Sequence, residues 1–395
     1  MFESLSKLPA DKIFALVAEF KADPRPEKVD LGVGVYKDGK GRTPILGSVK
    51  KAEAAIIAEG TTKTYVGVPG NKGFCDAVTD LVFADSIERD RVASVQAPGG
   101  TGSLWVLMTL LKRARPDAVM RLSDPTWPNH EPMVTTAGFA VTAYPYFDAE
   151  SGTVRFDDLI AYLDGLGPKD IVLLHGCCHN PTGANLTQAQ WDRVAASFKK
   201  TGAFPFVDLA YLGFGDGLDE DAYGARRLAT ELPEMALAFS ASKNFGLYRE
   251  RVGAAITISK TADARGIVAS QMANVVRTSY SQPPDHGAEI VRRVLTEPGL
   301  RAEWEGELAE MRNRMLALRK SLAEALKSKT NAKSFDFVAT HRGMFSLLGI
   351  SEGAVGHLKA INAVYMLDDS RINVAGLPET RMDELAAAVA EAIKQ

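Results

Sequence analysis

The sequence is poor in cysteine: Cys75, Cys177 and Cys178 are the only three in 395 residues. An odd count with one adjacent pair excludes a disulfide framework and fits a reducing compartment. It has no excess of positive charge. Lys and Arg number 46 against 49 Asp and Glu, for a formal net charge of −3. That balance argues against a nucleic-acid partner. No run of 18 or more apolar residues occurs, so no membrane span is expected. The first twenty residues, MFESLSKLPADKIFALVAEF, have no basic stretch followed by an apolar block. No secretory signal is expected, and the expected location is the cytoplasm. Internal repeats and low-complexity tracts are also missing.

What remains is an ordinary globular composition, 46% hydrophobic and 24% charged, at a length that suggests two or three domains. Short apolar runs alternate with turn-rich and helix-periodic segments. The runs are RVASVQA (91–97), AVMRLSD (118–124), DIVLLHG (170–176), AFPFVDLAY (203–211) and MALAFSAS (235–242). Such alternation indicates βα units and a mainly parallel sheet. Ligands of these sheets bind beyond the carboxyl ends of the strands. The polar residues that close each run are therefore the site candidates. Residues 298–329 read as one long charged helix with Leu308, Met311, Met315, Leu318 and Leu322 on one side, leading into a smaller α+β unit.

Four strand-end stretches carry chemistry. GGTGS (99–103) follows a strand-like run and opens a helix-like one. Glycines admit a ligand close to the backbone, and helix-start N–H groups bind anions. The stretch matches neither common nucleotide-loop pattern, and alone it is equally a tight turn. VDLAY ends an apolar run on Asp208, with Tyr211 three residues on. Such a carboxylate is either a helix N-cap or the partner of a protonated ring nitrogen. LLHGCCHNPTG holds His175, Cys177, Cys178 and His179 within five residues. Structural zinc needs separated ligand pairs, so no metal is expected and the cysteines read as small buried hydrophobes.

The fourth stretch, SASKNFGLYRERVG, sets Lys243 among Ser240, Ser242 and Arg251. Two hydroxyls and a guanidinium suit a dianionic phosphate. A lysine can form an imine with an aldehyde. A glycine-rich helix start, then an acid, then this lysine is the order expected for pyridoxal phosphate (PLP) on an α/β scaffold. Arg249 gains no role beyond a surface charge.

The order of motifs resembles the class I aminotransferases of PLP fold type I, in particular the aspartate and aromatic amino-acid subgroup. The matching stretches are DLGVGVYKD, TKTYVG, GGTGSL, DPTWPNH, HGCCHNPTGANLT, DLAYLGFGDGL, SKNFGLYRERVG, VRTSYSQPPDHGA, HRGMFSLLG and DSRINVAGL, spanning residues 30–377. The resemblance implies an α/β fold: a large PLP-binding domain over 48–310 with a mainly parallel central sheet flanked by helices. A smaller α+β domain would be built from both chain ends, 1–47 with an N-terminal arm and 311–395.

It also implies roles. Lys243 would hold PLP and then act as general base and acid. Asp208 would keep the pyridine nitrogen protonated. Tyr211 and Asn180 would hydrogen-bond the phenolic oxygen, and Trp127 would stack on the ring. Gly100, Thr101, Ser240, Ser242 and Arg251 would form the phosphate cup, with Tyr65 reaching it from the neighbouring subunit. His175 would sit behind the ring. Arg371 would clamp the substrate α-carboxylate, and Arg277 of the partner subunit a side-chain carboxylate. Gly34 would close over the substrate. These shared residues imply a homodimer.

The implied reaction moves an amino group between an aromatic or dicarboxylic amino acid and 2-oxoglutarate in a ping-pong cycle. A strict aspartate aminotransferase is the alternative, and a PLP lyase or decarboxylase on the same fold is a remote one. Ser103, Trp105, Leu212 and Ala241 depart from frequent family residues. None removes a catalytic group, and they leave the preferred amino donor open.

Overall fold

The structure, a computed structural model, describes residues 2–7, 11–331 and 334–394. Its centre is a seven-stranded sheet. In chain order the strands are β1 (Val92–Pro98), β2 (Val119–Asp124), β3 (Ala140–Pro145), β4 (Asp170–His175), β5 (Phe204–Leu209), β6 (Met235–Ser240) and β7 (Val252–Ile258). Their order across the sheet is β1-β7-β6-β5-β4-β2-β3. All neighbours pair parallel except β7, which runs antiparallel to both β1 and β6.

The inner strands read as unbroken apolar runs because both faces are covered. Val172 and Leu174 of β4 face one core cluster, while Ile171 and Leu173 face the other. On β6, Leu237 and Phe239 alternate with Ala236 and Ala238 in the same way. The five expected strands are β1, β2, β4, β5 and β6. The other two lack a strong strand signal. β3 is a half-exposed edge strand, and β7 carries the small residues Gly253, Ala254 and Ala255 after its first residue, Val252, and their strand propensity is low.

All six strands other than β7 end at one edge of the sheet. Gly99, Asp124, His175, Asp208 and Ser240 mark that edge. The helix α2 (Gly99–Ala114) starts there directly from β1, so its free N–H groups point the same way. The helix α1 (Lys12–Ala22) stands apart near the N-terminus.

The expected long helix runs from Pro298 to Thr330, and all five stripe residues are buried in the main core. It passes straight through position 310. Its flanks touch the helices Gly47–Glu59 and His286–Thr296 and also the C-terminal helix Met382–Ala392. The two chain ends meet. Val29–Asp30 pairs parallel with Val364–Tyr365, and Leu16 of α1 packs on Ala363, Tyr365 and Leu367. Among the described residues no helix is long and apolar enough to cross a membrane.

Candidate active site

The strand-end edge opens into a cavity of about 410 Å³. Lys243, Asp208, Tyr211, Trp127, Asn180, His175, Gly100, Thr101, Ser240, Ser242, Arg251, Gly34 and Arg371 all line it. These residues come from seven separate stretches of sequence, which the fold brings within one enclosure.

Lys243 follows β6 in the turn after Ser242. Burial pulls its amine down to about 8 against the raising effect of the Asp208 carboxylate, and Arg251 adds to the lowering. Its Nζ lies 4.9 Å from the centre of the Tyr211 ring. A buried amine lowered this far has a larger neutral, nucleophilic fraction near neutrality than an exposed lysine.

Asp208 stands at the end of β5, opposite His175 in the register. Its Oδ2 hydrogen-bonds His130 Nε2 at 2.9 Å. A carboxylate only accepts, so that ring nitrogen carries the hydrogen. Burial pushes the Asp208 carboxyl up, but the hydrogen bond from His130 and the nearby Lys243 outweigh it, and the net shift is downward. The acid is therefore held as a carboxylate at the floor of the cavity.

His130 was not among the candidates, although the motif DPTWPNH ends on it. Its role rests on a contact 78 residues away in sequence, and no local periodicity reports that. Thr126 Oγ1 continues the chain, 2.8 Å from His130 Nδ1 and 3.2 Å from His175 Nε2. His175 itself lines the cavity beside Asp208 and is joined to His130 through Thr126. Burial and the neighbouring His130 push its imidazole down to about 3, so it is neutral.

An anion cup lies at the start of α2. Arg251 Nη1 donates to Ser242 Oγ at 3.2 Å, and Ser240 Oγ donates to Ser242 Oγ at 3.1 Å. Gly99 has φ +73°, and a Cβ there would lie 2.4 Å from Arg251 Nη2. Only glycine lets the guanidinium lie against the helix start.

At the other side Arg371 is buried over the Phe345 ring, 4.4 Å from its centre. It donates to Asn180 Oδ1 at 3.3 Å and to the Gly32 carbonyl at 3.0 Å. Its Nε has no hydrogen-bond partner. A buried guanidinium with an orphan N–H and no carboxylate is a ready seat for an anionic group. Ile13, Phe14, Leu104, Ala210, Tyr248 and Phe345 complete the lining and were not singled out in the sequence.

The family model for Aminotransferase class I and II matches residues 26–389. The chain belongs to the class I and II aminotransferases. It is 48% identical to the aromatic-amino-acid aminotransferase of Paracoccus denitrificans, over 99% of each chain. It is 41% identical to the aspartate aminotransferase of Escherichia coli strain K12, over 98% of this chain and 99% of that one. The solved aromatic-amino-acid aminotransferase of Burkholderia pseudomallei, covalently bound to pyridoxal phosphate, superposes with a TM-score of 0.97. It is 41% identical, with 100% of this chain and 99% of that chain covered.

Two expected residues of this aminotransferase lie outside the cavity. Tyr65 is 87% exposed in the extended segment before the helix Lys72–Phe83. Arg277 is exposed at the end of the helix Ala262–Ser279, and its Nη1 donates to Ser281 Oγ at 2.6 Å. The cysteines are buried as expected.

Proposed function

We propose that this aminotransferase holds PLP on Lys243 and moves amino groups between aromatic or dicarboxylic amino acids and 2-oxoglutarate. The observation that carries the reading is the convergence of a buried amine, a buried carboxylate and an incompletely bonded buried guanidinium in one cavity. The orphan Nε of Arg371 and the cup at Gly99 fit, respectively, a substrate carboxylate and a phosphate.

When bound, PLP supplies an electron sink that makes a substrate α-proton removable. The chain supplies the rest. Ser240, Ser242, Thr101, Arg251 and the Gly100 end of α2 hold the phosphate. Asp208, kept ionised by His130, would hold a proton on the ring nitrogen. Tyr211 and Asn180 donate to the phenolic oxygen, and Trp127 covers the ring. Lys243 Nζ, once freed from the cofactor, would take the proton from the substrate α-carbon and hold it for return. Arg371 fixes the α-carboxylate, which sets the α-proton towards Lys243.

Residues 48–310 form the cofactor-bearing domain, and 1–47 with 311–395 form the one that closes over substrate near Gly34. Tyr65 and Arg277 act in the neighbouring subunit of a homodimer, which accounts for their position outside this chain's cavity. The enzyme works in the cytoplasm. The apolar lining from Ile13, Phe14, Leu104, Tyr248 and Phe345 favours an aromatic substrate alongside dicarboxylates.

Two measurements test this. Purified protein with PLP absorbs near ~420 nm and changes on adding glutamate, as the cofactor cycle requires; a colourless protein overturns the PLP reading. The ratio of kcat/KM for phenylalanine to that for aspartate, each with 2-oxoglutarate, tests the donor range. A ratio below about 10⁻³, roughly 4 kcal/mol of transition-state discrimination, would make the enzyme a strict aspartate aminotransferase.

A further inference from the structure

Cys177, Cys178 and Asp221 place two thiols and a carboxylate within 4.8 Å of one another. The carboxylate is already engaged. Its Oδ2 accepts the backbone N–H groups of Gly213 and Gly215, each at 2.8 Å, and its Oδ1 accepts that of Asp216 at 3.0 Å. The Cys177 thiol is pushed up by its hydrogen bond with Cys178 and by burial, and the Cys178 thiol by burial. Protonated thiols beside a spent carboxylate make an anchor and not a metal centre.

What the anchor holds is the loop that leaves Tyr211. Phe214 N–H donates to the Tyr211 carbonyl at 3.0 Å, and Cys178 Sγ lies 3.9 Å from the same oxygen. Arg312 donates to the Gly213 carbonyl at 3.1 Å, and Arg342 pairs with Asp216 at 2.7 Å. Asp221 sits in the first turn of the helix Leu218–Glu231, where its own backbone is fixed; burial raises its carboxyl to about 6 against the three N–H donors, which lower it. Three loop N–H groups therefore converge on one immobile buried carboxylate. A Cβ at Gly215 would lie 2.2 Å from Asp221 Oδ1, so the close approach depends on glycine.

We propose that Asp221 is a positioning residue for Tyr211, fixing where the tyrosine hydroxyl stands in the active site. The inference rests on the proposed role of Tyr211 as donor to the phenolic oxygen of PLP. An asparagine in place of Asp221 would turn an amide NH₂ towards N–H donors and leave at least one of them without an acceptor. The loop would shift, and the hydroxyl with it.

The readout is the pH at which the bound chromophore changes colour. A donor to the phenolic oxygen stabilises its negative charge and weakens the neighbouring nitrogen's hold on its proton. Losing the donor raises that pH. Tyr211→Phe, Asp221→Asn and Gly215→Ala are each reconstituted with PLP and titrated by absorbance, together with the Asp221→Asn/Tyr211→Phe double variant. Gly215→Ala displaces the carboxylate while keeping its charge and serves if Asp221→Asn does not fold. The single variants at 221 and 215 should raise the midpoint by roughly half to one pH unit, the scale of one misplaced hydrogen bond. The double variant should match Tyr211→Phe alone. Wild-type midpoints in the single variants, or a further rise in the Tyr211→Phe background, would overturn the proposal. An unchanged midpoint in Tyr211→Phe itself would instead remove the role given to Tyr211, and the inference would fall with it.

Discussion

The inner end of the cavity and its mouth are built differently. At the inner end Asp208, Ser240, Ser242 and Lys243 sit on or just beyond neighbouring strands of one sheet, and His130 and Thr126 brace Asp208 from behind. The parallel register leaves these groups little freedom. At the mouth, Ile13 and Phe14 come from α1, which buries only Leu16. Phe14 is 76% exposed. Gly34, Phe345 and Arg371 come from loops and short strand pairs of the chain ends. On the proposed reading the chemistry falls to the stiff inner end, and the exposed part of the mouth around Phe14 is where sequence can vary without disturbing the proton-moving groups.

Substitutions at the two ends should fail in different ways, and the largest effect is expected at the inner end. Lys243→Ala should still take up PLP but lose turnover by roughly 10⁴-fold or more, the scale of a lost general base together with its covalent role. Near-normal turnover would make the lysine a bystander. The same group should set the pH dependence of loading. Only the neutral amine attacks an aldehyde, and Lys243 is lowered to about 8. The rate at which cofactor-free enzyme takes up PLP should therefore level off above that pH. Below it the rate should fall about tenfold per unit, roughly 100-fold by pH 6. A rate that goes on rising tenfold per unit between pH 8 and pH 10, as for an exposed lysine, would mean that the amine is not buried as described.

At the mouth the losses should depend on substrate. Arg277→Leu should lower kcat/KM for aspartate by about 10- to 100-fold, the range for hydrogen bonds to charged groups, and leave phenylalanine nearly unchanged. Equal losses would make Arg277 structural. Phe14→Ala should be the mildest, lowering kcat/KM for phenylalanine by less than about tenfold with kcat for aspartate intact. A loss of both would erase the contrast between the two ends.

The inner end was also the more legible in sequence. β5 and β6 announced themselves as apolar runs, and their terminal polar residues fell where parallel strands present ligands. The long helix was equally plain, since its five stripe residues repeat at helical spacing. His130 escaped because its meaning is a tertiary contact with Asp208. Asp221 escaped for the same reason, its three partners being backbone N–H groups that no side-chain pattern encodes. β7 escaped because small residues carry little strand signal. At the mouth, Phe14 and Phe345 looked like ordinary apolar residues until the fold placed them on a cavity wall.

The meeting of the chain ends has a consequence for how the protein is made. Val29 N–H donates to the Ala363 carbonyl and Leu31 N–H to the Tyr365 carbonyl, partners synthesised more than three hundred residues later. At roughly 5–20 residues per second, the early segment waits tens of seconds on the ribosome before its strand partner exists. The central sheet, complete once Ile258 has emerged, has all its strands long before that. Lys243 therefore has its sheet first and its mouth last, so a chain still being translated carries the inner end of the cavity but not yet the walls contributed by Phe345 and Arg371.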